Sequence, residues 1–127
     1  MKPYERLYML SIKDKKWDDV ADTTERVMNL DLYDFPAAAY YNAVANLERG
    51  RLDLAEGSAR KGAALGGAGN DPKINYVLGV ILAAKRDFEG AAECLKIYLK
   101  SDAVTDREKV TKLLAEVEKQ AELKKQP

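Results

Sequence analysis

The 127-residue chain contains no histidine and a single cysteine, Cys94. Histidine is the usual proton-transfer group near pH 7 and the commonest metal ligand, so its absence excludes Ser-His-Asp and Cys-His catalytic sites. One cysteine cannot form an intramolecular disulfide. The acidic group Asp18, Asp19 and Asp22 is explained by the preference for carboxylates in the first turn of a helix. We therefore expect a protein that is not an enzyme and that needs no metal and no cofactor.

A charge excess of one sign and a long apolar run are also missing. Lysine plus arginine number 21 and aspartate plus glutamate number 21, so the net charge is zero. Such a chain has no general attraction to nucleic acid or to anionic lipid. The longest uncharged stretch runs from Phe35 to Leu47, 13 residues, whereas a membrane-spanning helix needs about 20. Neither nucleic-acid binding nor membrane insertion is expected. If the sequence is the full chain, it is expected in the cytoplasm, because its first residues lack the apolar run of a signal peptide.

The residues that are present predict a helical protein. Hydrophobic residues make up 46% of the chain, enough to bury a core. They recur at helical spacing, most clearly in the series Val110, Leu113, Leu114, Val117 and Ala121. No segment has a convincing strand pattern. The spacing predicts seven helices, at about 3–13, 17–30, 36–48, 52–65, 72–84, 88–100 and 106–124.

Helix pairs recur along the chain with a nearly constant period. Trp17, Leu52 and Phe88 occupy one repeat position, with spacings of 35 and 36 residues. Each is followed three residues later by an apolar residue that is small or β-branched, namely Val20, Ala55 and Ala91. A period of this length indicates stacked helical hairpins that share one core.

These units resemble the tetratricopeptide repeat. The third unit, with Gly79, Phe88 and Ala91, matches the family pattern best, whereas the second has Asn42 where leucine is usual and the first has Tyr8 where a small residue is usual. The resemblance implies one all-α domain over residues 1–127. It would be an α-solenoid of three repeats in a right-handed superhelix, at about 2–35, 36–70 and 71–104. A capping helix at about 105–125 would follow.

In this family, the first helix of each repeat lines a concave groove that binds a peptide or a partner helix. The resemblance therefore implies a protein–protein interaction scaffold. Tyrosine suits recognition because it buries a large ring and keeps a hydroxyl for hydrogen bonding. Because one residue rotates a side chain by about 100° on a helix, the alternative is that several of these residues pack between helices. The implied contacts are Arg6, Met9 and Lys13, then Tyr40, Tyr41 and Val44, then Lys73, Tyr76 and Val80.

A second interpretation is self-association or intramolecular docking. Tyr4 and Tyr8 lie in the first unit, which no capping helix precedes, so they could pack against another copy in a homo-oligomer or against a preceding domain. The part of the chain from Asp71 onward also resembles the closing repeat of bacterial multidomain, envelope-associated proteins. On that interpretation the chain is an excised C-terminal domain, and a periplasmic or envelope-associated location is expected.

Overall fold

The computed structural model describes residues 16–31, 37–65, 73–101 and 104–126. These ranges contain six helices and no strand, which confirms the all-α prediction. The bounds of the six agree with the predicted ones within two residues, and the helix predicted at about 3–13 lies outside the described residues. The helices are α1 (Trp17–Asp31), α2 (Ala37–Glu48), α3 (Leu52–Leu65), α4 (Ile74–Ala84), α5 (Phe88–Leu99) and α6 (Arg107–Lys125).

Two tight turns fold the chain into antiparallel pairs, α2 with α3 and α4 with α5. In the first turn, Gly50 has a φ of 75°, and the N–H groups of Gly50 and Arg51 donate to carbonyls three and five residues earlier. The second turn repeats this pattern with Arg86, at a φ of 68°, and Asp87. This is the Schellman arrangement, which satisfies the last carbonyls of a helix while reversing the chain. The side chain of Asp87 also accepts a hydrogen bond from the Gly90 N–H and so caps α5.

The helices stack in chain order, so that each packs against the next. In addition, α2 contacts α4, which places the first helices of the two pairs side by side. Asp53, just after the turn that follows α2, pairs at 2.7 Å with Lys85 at the end of α4, so α2 and α4 run in the same direction. Their shared surface is therefore the side of the stack on which the predicted groove falls.

The repeat positions form the predicted core. Val20, Ala55 and Ala91 are fully buried, and the larger residues Trp17 and Phe88 are half-buried. Small residues at these positions let neighbouring helices approach closely. Gly79 shows the same requirement on α4, because a Cβ atom there would lie 3.0 Å from the side chain of Leu95 on α5.

Helix α6 covers the open face of the last pair. Val110 and Val117 are buried in the core, whereas most of the outer side of the helix is polar and exposed. At its C-terminal end the Lys124 ammonium donates to the backbone carbonyl of Arg86 at 2.7 Å, and Lys125 pairs with Glu89 at 3.1 Å. A terminal helix of this kind is what a helical repeat array needs to bury its last apolar face.

Candidate functional site

A cleft of about 310 Å³ lies between the parallel helices α2 and α4. Lys124 near the end of α6 donates to the Arg86 carbonyl just after α4, so the two helices run in the same direction and α6 begins at the end of the cleft where α4 begins. The lining residues are Tyr40, Val44, Leu47 and Glu48 from α2, Lys73, Tyr76, Val77 and Val80 from the α4 segment, Tyr98 from α5, and Asp106 before α6.

Five of the residues predicted from the sequence meet in this cleft. They are Tyr40, Val44, Lys73, Tyr76 and Val80. Their spacing of three or four residues along each helix places them on one face. Lys73 is exposed and the other four are half-buried. A half-buried tyrosine or valine packs its base against the core and leaves its outer part accessible to a ligand.

Tyr41 does not line this cleft, although the sequence analysis placed it with Tyr40. It packs against a separate buried cluster, which is formed by Val20, Ala21 and Ala45. The reason is the rotation of about 100° between consecutive helix residues. The two tyrosines still touch edge to face, with ring centroids 5.1 Å apart, so Tyr41 supports the ring that does face the cleft.

The remaining predicted contacts, Arg6, Met9 and Lys13, lie outside the described residues. The same holds for Tyr4 and Tyr8, on which the prediction of self-association depends. The groove contacts of Arg6, Met9 and Lys13 and the self-association through Tyr4 and Tyr8 stay predictions.

Among the other lining residues, Glu48, Tyr98 and Asp106 were not identified from the sequence as groove residues. Glu48 ends α2, and Tyr98 is almost fully buried at the base of the cleft, with its ring centroid 5.6 Å from that of Tyr76. The Tyr98 hydroxyl donates to the Asp106 carboxylate at 3.3 Å. Asp106 immediately precedes α6 but makes no side-chain capping hydrogen bond. Nothing in the sequence distinguishes it from an ordinary capping aspartate, because its partner comes from another helix.

A buried polar network fixes the position of α2 from the side opposite the cleft. The Asn42 amide donates to the Ala21 carbonyl at 3.1 Å and to the Thr24 hydroxyl at 3.0 Å, and its oxygen accepts from Asn46 at 2.9 Å and from the Ser58 hydroxyl. All four hydrogen-bonding positions of this amide are therefore used. The network joins α1, α2 and α3, and it explains how a polar residue is accommodated where the family pattern has leucine.

The network continues to the protein surface and forms the floor of a second, more polar crevice. Asn46 accepts a hydrogen bond from Arg49 at 3.1 Å, and Arg49 pairs with Asp18 at 2.8 Å. The crevice, about 230 Å³ in volume, lies between α1 and α3 with Glu25 and Lys61 on its walls. Within the described ranges, no buried side-chain nitrogen or oxygen lacks a hydrogen-bond partner.

The remaining chemically notable groups lie apart from the cleft. Burial raises the pKa of the Cys94 thiol, which is half-buried on α5. In the part of the chain that the structure describes, no three acidic or cysteine side chains group closely enough to hold a metal ion. None of the six described helices is both long and apolar enough to cross a membrane.

No protein-family model and no curated protein matches the sequence. Solved structures that are similar in fold include two of one secretion chaperone. The type III secretion translocator chaperone SycD of Yersinia enterocolitica matches with a TM-score of 0.79 and 21% identity, over 93% of this chain and 85% of SycD. SycD in complex with a peptide of the translocator YopD matches with a TM-score of 0.74 and 21% identity, over 96% of this chain and 94% of that one.

These similarities confirm the predicted architecture. The chain has the all-α, tetratricopeptide-like fold of stacked antiparallel helix pairs. Both similar structures are of a secretion chaperone.

Proposed function

We propose that this chain is a protein-binding scaffold that holds an extended peptide segment or a partner helix in the cleft between α2 and α4. One observation carries the proposal. Residues predicted as groove contacts from two separate repeats, Tyr40 and Val44 on one and Tyr76 and Val80 on the other, line a single open cleft.

The chemistry of the lining suits a peptide. The rings of Tyr40 and Tyr76 bury a large area at small rotamer cost, and their hydroxyls can bond to a peptide backbone. Val44 and Val80 provide an apolar base. A volume of about 310 Å³ is at the lower end of the range of about 300–1,000 Å³ for ligand pockets. It therefore fits one or two inserted side chains, with the rest of the segment lying along the helices.

The comparison with SycD supports the same kind of ligand. One SycD structure contains a peptide of the translocator YopD, and we extend to this chain the binding of a segment from another protein. A chaperone role toward secreted partners is the finer form of this proposal. Arg6, Met9 and Lys13 would lengthen the cleft, and Tyr41 would support Tyr40. An affinity of micromolar order is expected, because ordering a flexible peptide offsets much of the burial.

The test compares two triple alanine variants in affinity capture from the source cell, read by quantitative mass spectrometry. The cleft variant changes Tyr40, Tyr76 and Val80. The matched control removes three exposed apolar side chains that do not line the cleft, Leu54, Ile97 and Leu123.

We expect the cleft variant to lose at least nine-tenths of the captured partner while the control keeps it, with the far-UV circular dichroism of both unchanged. The captured partner is then purified, and its affinity for the three proteins is measured by calorimetry. Equal affinity for the wild type and the cleft variant would place the binding surface elsewhere.

A further inference from the structure

We propose that the cleft selects a peptide with a lysine or arginine close to its apolar anchor, and that the Asp106 carboxylate recognises this cation. The inference rests on the proposed function and specifies the chemistry of the partner.

Asp106 lies in the wall of the cleft, next to Tyr98. Its carboxylate lines the cleft and is half-buried. One oxygen accepts a hydrogen bond from the Tyr98 hydroxyl at 3.3 Å, and the side chain makes no capping hydrogen bond on α6. Among the described residues, no cation pairs with Asp106 and nothing donates to its second oxygen. A carboxylate offers about four acceptor positions, so most of its capacity is open to a ligand.

The charge of the whole lining supports the same ligand. Glu48 lies at the end of α2, exposed, and within the described ranges it forms no ion pair or side-chain hydrogen bond. Lys73 is the only cation among the described lining residues. Two carboxylates and one ammonium give the described lining a net negative charge. An acidic side chain bound beside Asp106 would be repelled there, whereas a basic one would be attracted.

The burial of Asp106 makes it the stronger of the two acidic contacts. Ion pairs between exposed groups contribute little, because solvent screens them and both side chains lose entropy. Asp106 is partly shielded and already oriented by Tyr98, so a charge-assisted hydrogen bond to it loses less entropy. Glu48, being exposed, is expected to add a smaller and more salt-sensitive attraction.

The test uses three acetylated and amidated nine-residue peptides, Gly-Ser-X-Leu-Ser-Leu-X-Ser-Gly, in which X is lysine, glutamine or glutamate. Each is titrated into the ¹⁵N-labelled full chain at low salt, and amide shifts give both the dissociation constant and the binding surface. The variants are Asp106→Asn, which keeps an acceptor for Tyr98, and Asp22→Asn. Asp22 is an exposed aspartate on α1 outside the cleft, so it controls for the change in net charge.

We expect the lysine peptide to bind about tenfold more tightly than the glutamate peptide, with the glutamine peptide between them. In Asp106→Asn this ratio should fall to about threefold, whereas Asp22→Asn should keep it. A ratio that stays at about tenfold in Asp106→Asn would overturn the role given to Asp106. Equal affinities, or a preference for glutamate, would overturn the inference.

The proposed function is tested separately in the same titrations. If all three peptides bind equally and shift amides of Tyr76 and Val80, the cleft binds peptides without the proposed charge selection. If none of the three shifts these amides, both the proposed function and the inference are overturned.

Discussion

Replacing Asn42 with leucine should destabilise this protein, although leucine is the usual residue of the repeat pattern at that position. Asn42 is 6% exposed and makes four side-chain hydrogen bonds. Two of its partners keep other hydrogen bonds when the Asn42 amide is removed. The Ala21 carbonyl lies within a helix, where it accepts from the helix backbone, and the Thr24 hydroxyl still donates to the Val20 carbonyl at 2.6 Å. The other two, Asn46 and Ser58, lose the oxygen to which they donate.

The expected loss follows from those two donors. Asn46 retains a hydrogen bond to the backbone carbonyl of residue 42 at 3.1 Å, so its side-chain amide loses only one of its two acceptors on that residue. The Ser58 hydroxyl is left buried without its acceptor. Two lost hydrogen bonds and one buried unsatisfied donor cost about 3–4 kcal/mol, and the added apolar surface returns about 1 kcal/mol. We therefore expect Asn42→Leu to lower the free energy of unfolding by about 2–3 kcal/mol.

Urea unfolding at 25 °C measures this loss, followed both by far-UV circular dichroism and by Trp17 fluorescence so that two-state behaviour is checked. Asn29→Leu, at an exposed position of α1, is the control and should stay within about 0.5 kcal/mol of the wild type. Adding Ser58→Ala to Asn42→Leu removes the unsatisfied hydroxyl, so the double variant should lose about 1 kcal/mol less than the sum of the single losses. An Asn42→Leu protein as stable as the wild type would refute the reasoning.

Three further predictions concern backbone geometry and charge, each measured by the urea midpoint. Gly50→Ala should lower the free energy of unfolding by about 1 kcal/mol, because the φ of 75° at this position disfavours a side chain. Gly57→Ala should raise it by about 0.5–1 kcal/mol, because Gly57 lies within α3 and has open space around it. Gly79→Ala should lower the free energy of unfolding by about 1–3 kcal/mol although the residue is helical, because its Cβ atom would collide with α5. A more stable Gly79→Ala protein would contradict the close contact between α4 and α5. The hydrogen bond from Lys85 lowers the pKa of Glu56 below its ordinary 4.5, so the contact stabilises the fold above that pH and is lost as the pH falls through the lowered pKa. Glu56→Gln should accordingly lower the free energy of unfolding most near pH 7 and should have no effect in acid, below the lowered pKa of Glu56. An equal loss of unfolding free energy at pH 7 and in acid would exclude the charge effect.

Helical periodicity predicted some of the residues that line the cleft and not others. Spacing of three and four residues placed Tyr40 with Val44 and Tyr76 with Val80, and the structure brings these pairs to one cleft. The same method could not separate Tyr40 from Tyr41, because neighbouring residues differ by only 100° and both directions are flanked by apolar surface. Which tyrosine faces the cleft depends on where α1 packs against α2.

The acidic residues of the cleft illustrate a different limit. Glu48 and Asp106 stand at helix ends, where a sequence pattern predicts only a solvated or capping carboxylate. Asp106 lines the cleft because α6 packs against α5 and because its carboxylate accepts a hydrogen bond from the Tyr98 hydroxyl. Contacts between residues of different helices have no periodic signature along the chain.

The order of apolar and polar residues was enough to establish that this protein is helical, that its helices come in pairs about 35 residues apart and that small residues lie between them. These properties are local, because they arise from the spacing of apolar and small side chains along one helix. The tertiary structure alone decided that Asn42 meets Thr24 and Ser58, that Tyr41 turns away from the cleft and that Asp106 enters it. These outcomes depend on the relative placement of separate helices, which is set by packing across the whole stack.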